Sequence, residues 1–381
     1  MPVATTTTTS AQNTIETLKS AIADLSIAGT IPQSQVQAPS SSSSSSNPER
    51  LRQYSHFDAT PSIGTEFRAY SPDGKPTLSI RDLLDDEDGL RALGRLVSER
   101  GVVFFRDAII SPEEQITLVD KLGKLGGKPS TSGLHVHPLT SSNSEFGDEI
   151  SMISNQYVFD DKYKRNDRSV LQRRFHGDLW HSDITFEPVP SDYATLQIRE
   201  LPKVGGDTLW ASAYEAYDRL SPAYRILLEG LTATHTGQNF VDLANKQGQK
   251  LREPRGAPEN VGQTLSTVHP VIRTNPVTGW KGLFVNRGFT KRINELTKHE
   301  SDNLLEFLFE HISANHDLQV RFRWEPNSLA IWDNRSTFHT ATEDLDDDKR
   351  VGTRSVSLGE RPYLDPKSLS RREALAEATQ S

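Results

Sequence analysis

The positions of apolar residues predict two helices and a strand in the first third of the chain. In residues 80–100, leucines recur on one stripe that a helix would bury, and Gly101 follows the last turn. The sequence Ser111-Pro112-Glu113-Glu114 is typical of a helix start, and the apolar period behind it continues to about Leu125. Between these helices, the uninterrupted apolar run Val102-Val103-Phe104-Phe105 predicts a buried strand.

Short β-branched and aromatic runs dominate the rest of the chain and predict strands. They lie at residues 193–199, 205–210, 268–273, 282–285, 320–324, 328–332 and 349–356. Helical periods that begin at Ser221 and Ser301 separate some of them. Because strands and helices do not alternate regularly, we expect an α+β fold with a jelly-roll core and flanking helices rather than a parallel sheet of βαβ units.

The first 53 residues differ from the rest in composition. They contain a threonine run and a serine run, and such polar sequence buries too little surface to offset chain entropy. We therefore expect residues 1–53 to be a disordered Ser/Thr-rich extension and residues 54–381 to form a single domain. Residues 126–176 are rich in glycine, serine and charge, which predicts a long excursion or active-site lid with a strand near residues 149–159.

Composition restricts the chemistry that this chain can use. The 381 residues carry a formal net charge of −8, so we expect neither nucleic acid nor an anionic membrane surface as a partner. No apolar run approaches the roughly 18 residues needed to span a bilayer, and we expect a cytoplasmic protein. The sequence has no cysteine, which excludes disulfides and thiolate metal ligands. Any metal site must therefore use histidine, aspartate or glutamate.

A histidine and an aspartate, His181 and Asp183, lie two residues apart in an apolar stretch. If this stretch is a strand, both side chains project to the same side, because strand side chains alternate. Burying the two groups costs free energy unless they are paired, either with each other and the backbone or with a divalent metal. For an isolated triplet of this kind, the first alternative is the more common one.

A third candidate ligand, His339, follows a predicted strand and turn, 158 residues after His181. Two histidines and one carboxylate leave three positions of an octahedral metal open, which is the arrangement of non-haem Fe(II) oxygenases. Zinc enzymes use the same types of ligand. The residues alone therefore leave the choice between iron and zinc open.

Two arginines follow His339 on a predicted strand. Arg350 and Arg354 are four residues apart and would share one face of the strand. Guanidinium groups beside a metal require anions, and their planar donors match a carboxylate or a sulfonate. The alternative is a solvated edge strand balanced by the acidic residues that precede it, namely Glu343, Asp344, Asp346, Asp347 and Asp348.

Taken in order, these motifs resemble the taurine dioxygenase group of Fe(II)/2-oxoglutarate-dependent oxygenases. The resemblance runs from about Gly101 to Tyr363, and several motifs at compatible spacing are more specific than any single triplet. The matching stretches are His181-Ser182-Asp183, Gly205-Gly206-Asp207-Thr208-Leu209-Trp210, His269-Pro270-Val271, Phe284-Val285-Asn286-Arg287-Gly288-Phe289 and Trp332-Asp333-Asn334-Arg335, with His339, Arg350 and Arg354. The resemblance implies a double-stranded β-helix fold in which His181, Asp183 and His339 hold the iron.

The resemblance also implies binding roles for five further residues. Thr208 and Arg350 correspond to the residues that bind the distal carboxylate of 2-oxoglutarate. Arg354 and His137 correspond to residues that hold the substrate sulfonate, and Phe289 corresponds to an aromatic residue that packs on the substrate. An imidazole can donate to an anionic oxygen, so the role implied for His137 is chemically sound.

The implied reaction is hydroxylation of a taurine-like organosulfonate at the carbon that bears sulfur, with release of sulfite and an aldehyde. It requires Fe(II) and O2, and it converts 2-oxoglutarate to succinate and CO2. Alternative substrates within the family are an alkyl sulfate, an aryloxy acid or a biosynthetic intermediate, and alternatives outside it are a zinc hydrolase or a cupin-like binding protein. We expect a small anionic substrate and a homodimer or homotetramer.

The sequence departs from the bacterial taurine enzymes at the substrate end of the site. Gly237 stands where an ungapped alignment places a substrate-contacting aromatic residue, which predicts a more open pocket. The stretch before His181 is longer than in those enzymes, so Asn155, Tyr157 and His176 are candidate pocket residues. The Ser/Thr-rich N-terminus suggests a fungal relative.

Overall fold

The structure, a computed structural model, describes residues 47–140, 147–155, 176–345 and 348–380. The α-helices in these ranges are α1 Ile80–Leu83, α2 Glu87–Arg100, α3 Pro112–Leu125, α4 Ala213–Asp218, α5 Pro222–Glu229, α6 Gln238–Lys246, α7 Lys298–Ser313 and α8 Arg371–Ala378. The strands are β1 His56–Asp58, β2 Thr65–Phe67, β3 Val102–Phe105, β4 Ile150–Ser154, β5 Ser191–Glu200, β6 Thr208–Ser212, β7 Thr232–Thr236, β8 Ser266–Pro270, β9 Ile272–Thr274, β10 Lys281–Leu283, β11 Thr290–Ile293, β12 Gln319–Phe322, β13 Leu329–Asp333, β14 Thr337–Ala341 and β15 Val351–Leu358. This mixture confirms the predicted α+β class.

Seven strands form the largest sheet, in the order β1-β2-β3-β13-β5-β15-β4. A three-stranded sheet, β12-β6-β14, packs against it through aromatic side chains. The rings of Phe104 and Phe322 stack with their centroids 4.1 Å apart, and those of Trp210 and Trp332 meet at 5.8 Å. Strands β6 and β14 carry Thr208 and His339, so the packing of the two sheets fixes part of the candidate site.

Helices α2 and α3 cover the opposite face of the large sheet. Leu93 and Leu118 from these helices lie in one buried cluster with Val103 and Ile331 from β3 and β13. The neighbouring residues on each strand point the other way, towards the three-stranded sheet, because strand side chains alternate. Both faces of the large sheet are therefore buried at its centre.

The predicted helix over residues 80–100 is divided into α1 and α2. Asp86 interrupts it and caps α2, since its side chain accepts a hydrogen bond from the Gly89 N–H at 3.0 Å. The predicted start of α3 is confirmed, because Ser111 and Glu114 form a reciprocal capping box.

The folded region begins before the predicted boundary at Tyr54. Residues Pro48–Gln53 form a 3-10 helix that is capped by Asn47. Leu51 from this helix is 1% exposed and belongs to the cluster that α2 helps to form. Residues 1–46, where disorder was predicted, lie outside the described residues.

The predicted strand at residues 268–273 is two strands that belong to different sheets. Strand β8 pairs with β7 in a three-stranded sheet, β11-β7-β8, whereas β9 pairs with β10. The chain passes from one sheet to the other at Val271, which is fully buried. Local sequence cannot reveal this change of partner, because the apolar pattern continues across it.

Strand β4 confirms the strand predicted near residues 149–159 and pairs with β15 at the edge of the large sheet. Most of the remaining predicted excursion, residues 141–146 and 156–175, lies outside the described residues. No described helix combines the length and apolarity that crossing a membrane requires.

Candidate metal centre and active site

His181 and His339 lie side by side because the segment around His181 pairs with β14. The His181 N–H donates to the His339 carbonyl oxygen at 3.0 Å, and the His339 N–H donates to the His181 carbonyl oxygen at 2.7 Å. Strand β14 also pairs with β6, which places His339 opposite Trp210. The centroids of the two imidazole rings are 4.3 Å apart.

The expectation that His181 and Asp183 lie on one strand is wrong. Strand pairing here is confined to His181, and the chain enters a turn at Asp183. Ile184 then adopts a φ of 52°, a left-handed conformation that is unusual for a β-branched residue. This turn, rather than strand alternation, directs the Asp183 carboxylate towards both histidines.

The side chains of His181, Asp183 and His339 have an arrangement that can hold a metal ion. Asp183 Oδ1 lies 3.9 Å from His181 Nε2, and Asp183 Oδ2 lies 3.8 Å from His339 Nε2. One ligand atom from each residue lies within 4.8 Å of the others. His181 Nδ1 donates to the Leu179 carbonyl oxygen at 2.8 Å, which leaves the lone pair on Nε2 towards the cluster.

The protonation states of this cluster suit a divalent cation. Burial acts to raise the pKa of Asp183, but the Arg354 guanidinium and the imidazoles of His339 and His181 hold that pKa at about 2. Burial and the neighbouring His181 lower the pKa of His339 to about 3, so its imidazole is neutral at neutral pH. Asp183 Oδ2 is buried and has no hydrogen-bond partner among the described residues. A cation would stabilise this unpaired anionic oxygen.

Asn334 supports the turn that carries Asp183. Its side-chain oxygen accepts from the Asp183 N–H at 3.2 Å and from the Trp332 indole N–H at 3.0 Å. The Ser182 hydroxyl donates to the Asn334 carbonyl oxygen at 2.6 Å. Asn334 was part of a sequence motif, but its contact could not be assigned because it joins residues that are 151 positions apart.

Arg350 and Thr208 form a second polar cluster. Arg350 Nε donates to the Gly206 carbonyl oxygen at 2.8 Å, and Nη2 donates to Thr208 Oγ1 at 3.2 Å. Arg350 is 6% exposed, and burial lowers its pKa to about 10, so the group remains charged at neutral pH. The carboxylates of Glu343 and Asp207 act to raise the pKa of Arg350, but none of the ion pairs in the described part of the chain includes it. A buried cation of this kind calls for an anionic ligand.

Asn155 holds the backbone at Arg350. The Asn155 side-chain oxygen accepts a hydrogen bond from the Arg350 backbone N–H at 3.0 Å, and the Asn155 backbone N–H donates to the Arg350 carbonyl oxygen at 3.2 Å. Asn155 Nδ2 also donates to the Asp348 carbonyl oxygen at 2.9 Å. Asn155 therefore supports Arg350 rather than the aromatic side of the site. Of the other two candidates, Tyr157 lies outside the described residues, and His176 begins a 3-10 helix but its side chain is not described.

Arg350 lies immediately before β15. The pairing of β15 with β5 shifts register between Val351 and Gly352, whereas its pairing with β4 keeps one register from Val351 to Ser355, so the shared strand face of Arg350 and Arg354 stays a prediction. Arg354 lies within β15, and its Nη1 donates to Asp183 Oδ1 at 2.8 Å. The two guanidinium groups contact different clusters, Arg350 at Thr208 and Arg354 at Asp183.

A line of aromatic rings connects His137 to the metal cluster. Ring centroids are 5.2 Å apart between His137 and Phe240, 6.2 Å between Phe240 and Phe289, and 6.1 Å between Phe289 and His181. His137 Nδ1 accepts from the Leu139 N–H at 3.1 Å. The neutral His137 ring therefore carries its proton on Nε2, where it is a hydrogen-bond donor.

The expectation that Gly237 opens the pocket is wrong. A Cβ atom at Gly237 would lie 3.0 Å from the Phe186 ring and 3.2 Å from the Leu265 side chain, so these residues occupy the space. Phe186 also contacts the rings of Phe240 and Phe289, at 5.4 and 5.0 Å. Phe186 and Phe240 were not predicted as site residues, although Phe186 follows Asp183 by three residues.

Two histidines and a carboxylate that can leave metal positions open form the ligand set of non-haem Fe(II) oxygenases, and a buried arginine lies at the neighbouring cluster. The comparison with known proteins agrees with this class. Residues 56–356 match the family described as taurine catabolism dioxygenase TauD, TfdA family, and the chain belongs to that family. The protein is therefore an oxidoreductase, a 2-oxoglutarate-dependent dioxygenase that uses Fe(II), 2-oxoglutarate and O2.

Named relatives and a solved structure support this assignment. The chain is 44% identical over 341 residues to the alpha-ketoglutarate-dependent dioxygenase btcD of Neocamarosporium betae, and the match covers 85% of this chain and 96% of that protein. It is 33% identical over 317 residues to an alpha-ketoglutarate-dependent sulfonate dioxygenase of Saccharomyces cerevisiae, with 82% and 68% covered. The crystal structure of a taurine dioxygenase from Burkholderia xenovorans matches with a TM-score of 0.59 and 25% identity, covering 83% of this chain and 92% of that chain.

Proposed function

We propose that the protein hydroxylates an organosulfonate at the carbon that bears sulfur, and so releases sulfite and an aldehyde. The observation that carries this proposal is the position of Arg354, whose side chain is 15% exposed and lies 2.8 Å from the Asp183 carboxylate. A planar guanidinium group matches sulfonate oxygens, and here it would hold them beside the metal cluster. The S. cerevisiae relative, which is named as a sulfonate dioxygenase, supports the same substrate class.

The proposed ligands of Fe(II) are His181, Asp183 and His339. Their convergent ligand atoms and the unpaired Asp183 Oδ2 support this role. The proposed binding site for the distal carboxylate of 2-oxoglutarate is formed by Arg350 and Thr208. Its support is the buried guanidinium, which has no ion-pair partner among the described residues.

When bound, Fe(II) and 2-oxoglutarate supply the oxidation, in which O2 gives one oxygen atom to the substrate carbon and one to succinate while CO2 leaves. The protein side chains position the substrate. Arg354 and the Nε2–H of His137 hold the sulfonate, and Phe289 packs on the carbon chain. The hydroxylated carbon then loses sulfite as its C–S bond breaks and its hydroxyl proton leaves. This step produces the aldehyde and needs no protein nucleophile.

The packing of β12-β6-β14 against the large sheet supports the double-stranded β-helix that the resemblance implies. A homo-oligomeric state and a cytoplasmic location remain predictions from the sequence. The btcD relative is named without a substrate, so an alkyl sulfate, an aryloxy acid or a biosynthetic intermediate is an alternative ligand for Arg354. A panel of sulfonates, sulfates and aryloxyacetates, scored for succinate and sulfite together, separates these substrates.

Arg354→Ala is expected to abolish sulfite release while some uncoupled succinate formation remains. The variant loses the guanidinium group that binds the anionic end of the substrate, but it keeps the proposed 2-oxoglutarate-binding residues. Sulfite and succinate are measured in the same reaction with the best sulfonate of the panel. Arg292→Ala removes an exposed arginine from β11 and is the matched control, which should behave as the wild type. Unchanged sulfite production by Arg354→Ala would show that Arg354 does not hold the substrate.

Gly206→Ala is expected to weaken 2-oxoglutarate binding roughly tenfold, because displacing Arg350 removes part of a charge-assisted hydrogen bond worth about 1.5–3 kcal/mol. Gly206 has a φ of 70°, and a Cβ there would lie 2.9 Å from Arg350 Cδ and 2.8 Å from a Leu345 methyl carbon. Gly279 has a similar φ of 74° but open space around its Cα, so Gly279→Ala controls for backbone strain. Binding is measured by calorimetric titration of the Mn(II)-loaded protein. Equal affinities in the two variants would contradict the packing argument.

A further inference from the structure

The hydroxyl group of Thr208 accepts two hydrogen bonds. Trp324 Nε1–H donates to Thr208 Oγ1 at 3.1 Å, and Arg350 Nη2 donates to the same oxygen at 3.2 Å. A hydroxyl oxygen has two lone pairs and one hydrogen. Both lone pairs of Thr208 Oγ1 therefore accept hydrogen bonds, so the hydroxyl group can make a further hydrogen bond only by donating its hydrogen. Among the described residues, no hydrogen bond donated by Thr208 is found.

Trp324 is packed in the core in the position from which it donates. It follows β12, and β12 pairs with β6 so that Phe322 lies opposite Thr208. The Trp324 ring is 7% exposed and meets the Phe322 ring edge-on at 5.0 Å, within the core between the two sheets. An indole N–H can donate but cannot accept. Trp324 therefore cannot take the Thr208 hydrogen, whichever way the hydroxyl rotates.

Arg350 has further N–H donors beside the Thr208 hydroxyl group. Its guanidinium has five N–H groups in general, and the contacts to Gly206 and Thr208 use its Nε and Nη2 atoms. The Gly206 carbonyl oxygen and the Thr208 hydroxyl oxygen thus orient the guanidinium, while its remaining donors can reach a ligand. An anion at this point would receive hydrogen bonds from both Arg350 and Thr208.

We propose that Trp324 is a positioning residue that fixes Thr208 as a hydrogen-bond donor to the distal carboxylate of 2-oxoglutarate. The inference rests on the proposed role of Thr208 and Arg350 in the function above. Without the indole N–H, one lone pair of Thr208 Oγ1 has no donor. The hydroxyl group can then rotate so that this lone pair faces the carboxylate, and the two negative charge distributions repel each other. The indole thereby makes the pocket select an oxo acid with a second carboxylate over one without it.

The test compares Trp324→Phe with Trp210→Phe. Both variants remove an indole N–H from the same buried cluster, but Trp210 Nε1 has no hydrogen-bond partner in the described part of the chain. Each Mn(II)-loaded protein is titrated calorimetrically with 2-oxoglutarate and with 2-oxobutanoate, which lacks the distal carboxylate. Trp324→Phe should weaken 2-oxoglutarate binding roughly three- to tenfold, the range of one net hydrogen bond, and leave 2-oxobutanoate unchanged. Trp210→Phe should change neither affinity.

A second variant keeps the inference testable if Trp324→Phe folds poorly. Thr208→Val removes the hydroxyl but keeps the shape of the side chain, and it should weaken 2-oxoglutarate binding at least as much. Adding Trp324→Phe to Thr208→Val should then cause no further loss, because the indole acts through that hydroxyl. Equal loss of both oxo acids in Trp324→Phe, or no loss of either, overturns the inference. A wild-type protein that binds Mn(II) but not 2-oxoglutarate overturns the proposed function instead.

Discussion

Asp183→Ala is expected to reduce metal affinity by more than about 100-fold, since changing even the residues that support metal ligands commonly costs 10- to 100-fold. The reason lies in the cluster itself, where Asp183 is the anionic member and its carboxylate oxygens face both His181 and His339. The loss should abolish succinate formation as well, because 2-oxoglutarate chemistry requires the iron.

Metal affinity of Asp183→Ala is measured by titrating the metal-free protein with Mn(II) and by counting the iron that remains after dialysis. His316→Ala removes an exposed histidine and is the control for a general effect of mutation. His339→Ala should behave like Asp183→Ala, because both remove one member of the same cluster. Retention of metal at wild-type affinity in Asp183→Ala would place the metal elsewhere.

Arg350→Ala is expected to weaken 2-oxoglutarate binding at least roughly 30-fold, because removing one partner of a buried charged hydrogen bond costs about 2–5 kcal/mol. Arg350→Lys should restore little of this affinity, since an ammonium group lacks the planar donors of a guanidinium. Binding is measured with the Mn(II)-loaded protein, which separates affinity from turnover.

Arg354→Ala is the matched control for the Arg350 experiment. It removes the same group four residues further along the chain, within β15, but should leave 2-oxoglutarate affinity near the wild-type value, because Arg354 contacts Asp183 and not Thr208. A normal 2-oxoglutarate requirement in Arg350→Ala would show that Arg350 does not bind 2-oxoglutarate. Equal losses in both arginine variants would show that the two clusters are not distinct.

Features that depend on neighbouring residues were predictable from the sequence. The start of α3 is set by a capping box within four residues, and β3 is an uninterrupted apolar run. The metal-capable residues could also be named, because a chain without cysteine has few ligand types and the motifs occur in a consistent order. The structure brings His181, Asp183 and His339 together as that argument requires.

Features that depend on distant pairing were not predictable. The turn at Asp183 replaces the strand geometry that was expected for His181 and Asp183, and no local pattern marks the shift in the pairing of β15 with β5 after Val351. Trp324 and Asn334 act through hydrogen bonds to residues 116 and 151 positions away, so no local pattern marks them. Gly237 suggested an open pocket because sequence does not show that Phe186 fills the space.

The most direct test of the central claim is an anaerobic titration of the metal-free protein with Fe(II) and then 2-oxoglutarate, followed by visible absorption. We predict a weak new absorption band that requires both additions and that is absent from Asp183→Ala, because the iron and the oxo acid meet at the cluster of His181, Asp183 and His339. Folded wild-type protein that develops no band after both additions would contradict the assignment of this cluster as the iron and 2-oxoglutarate site.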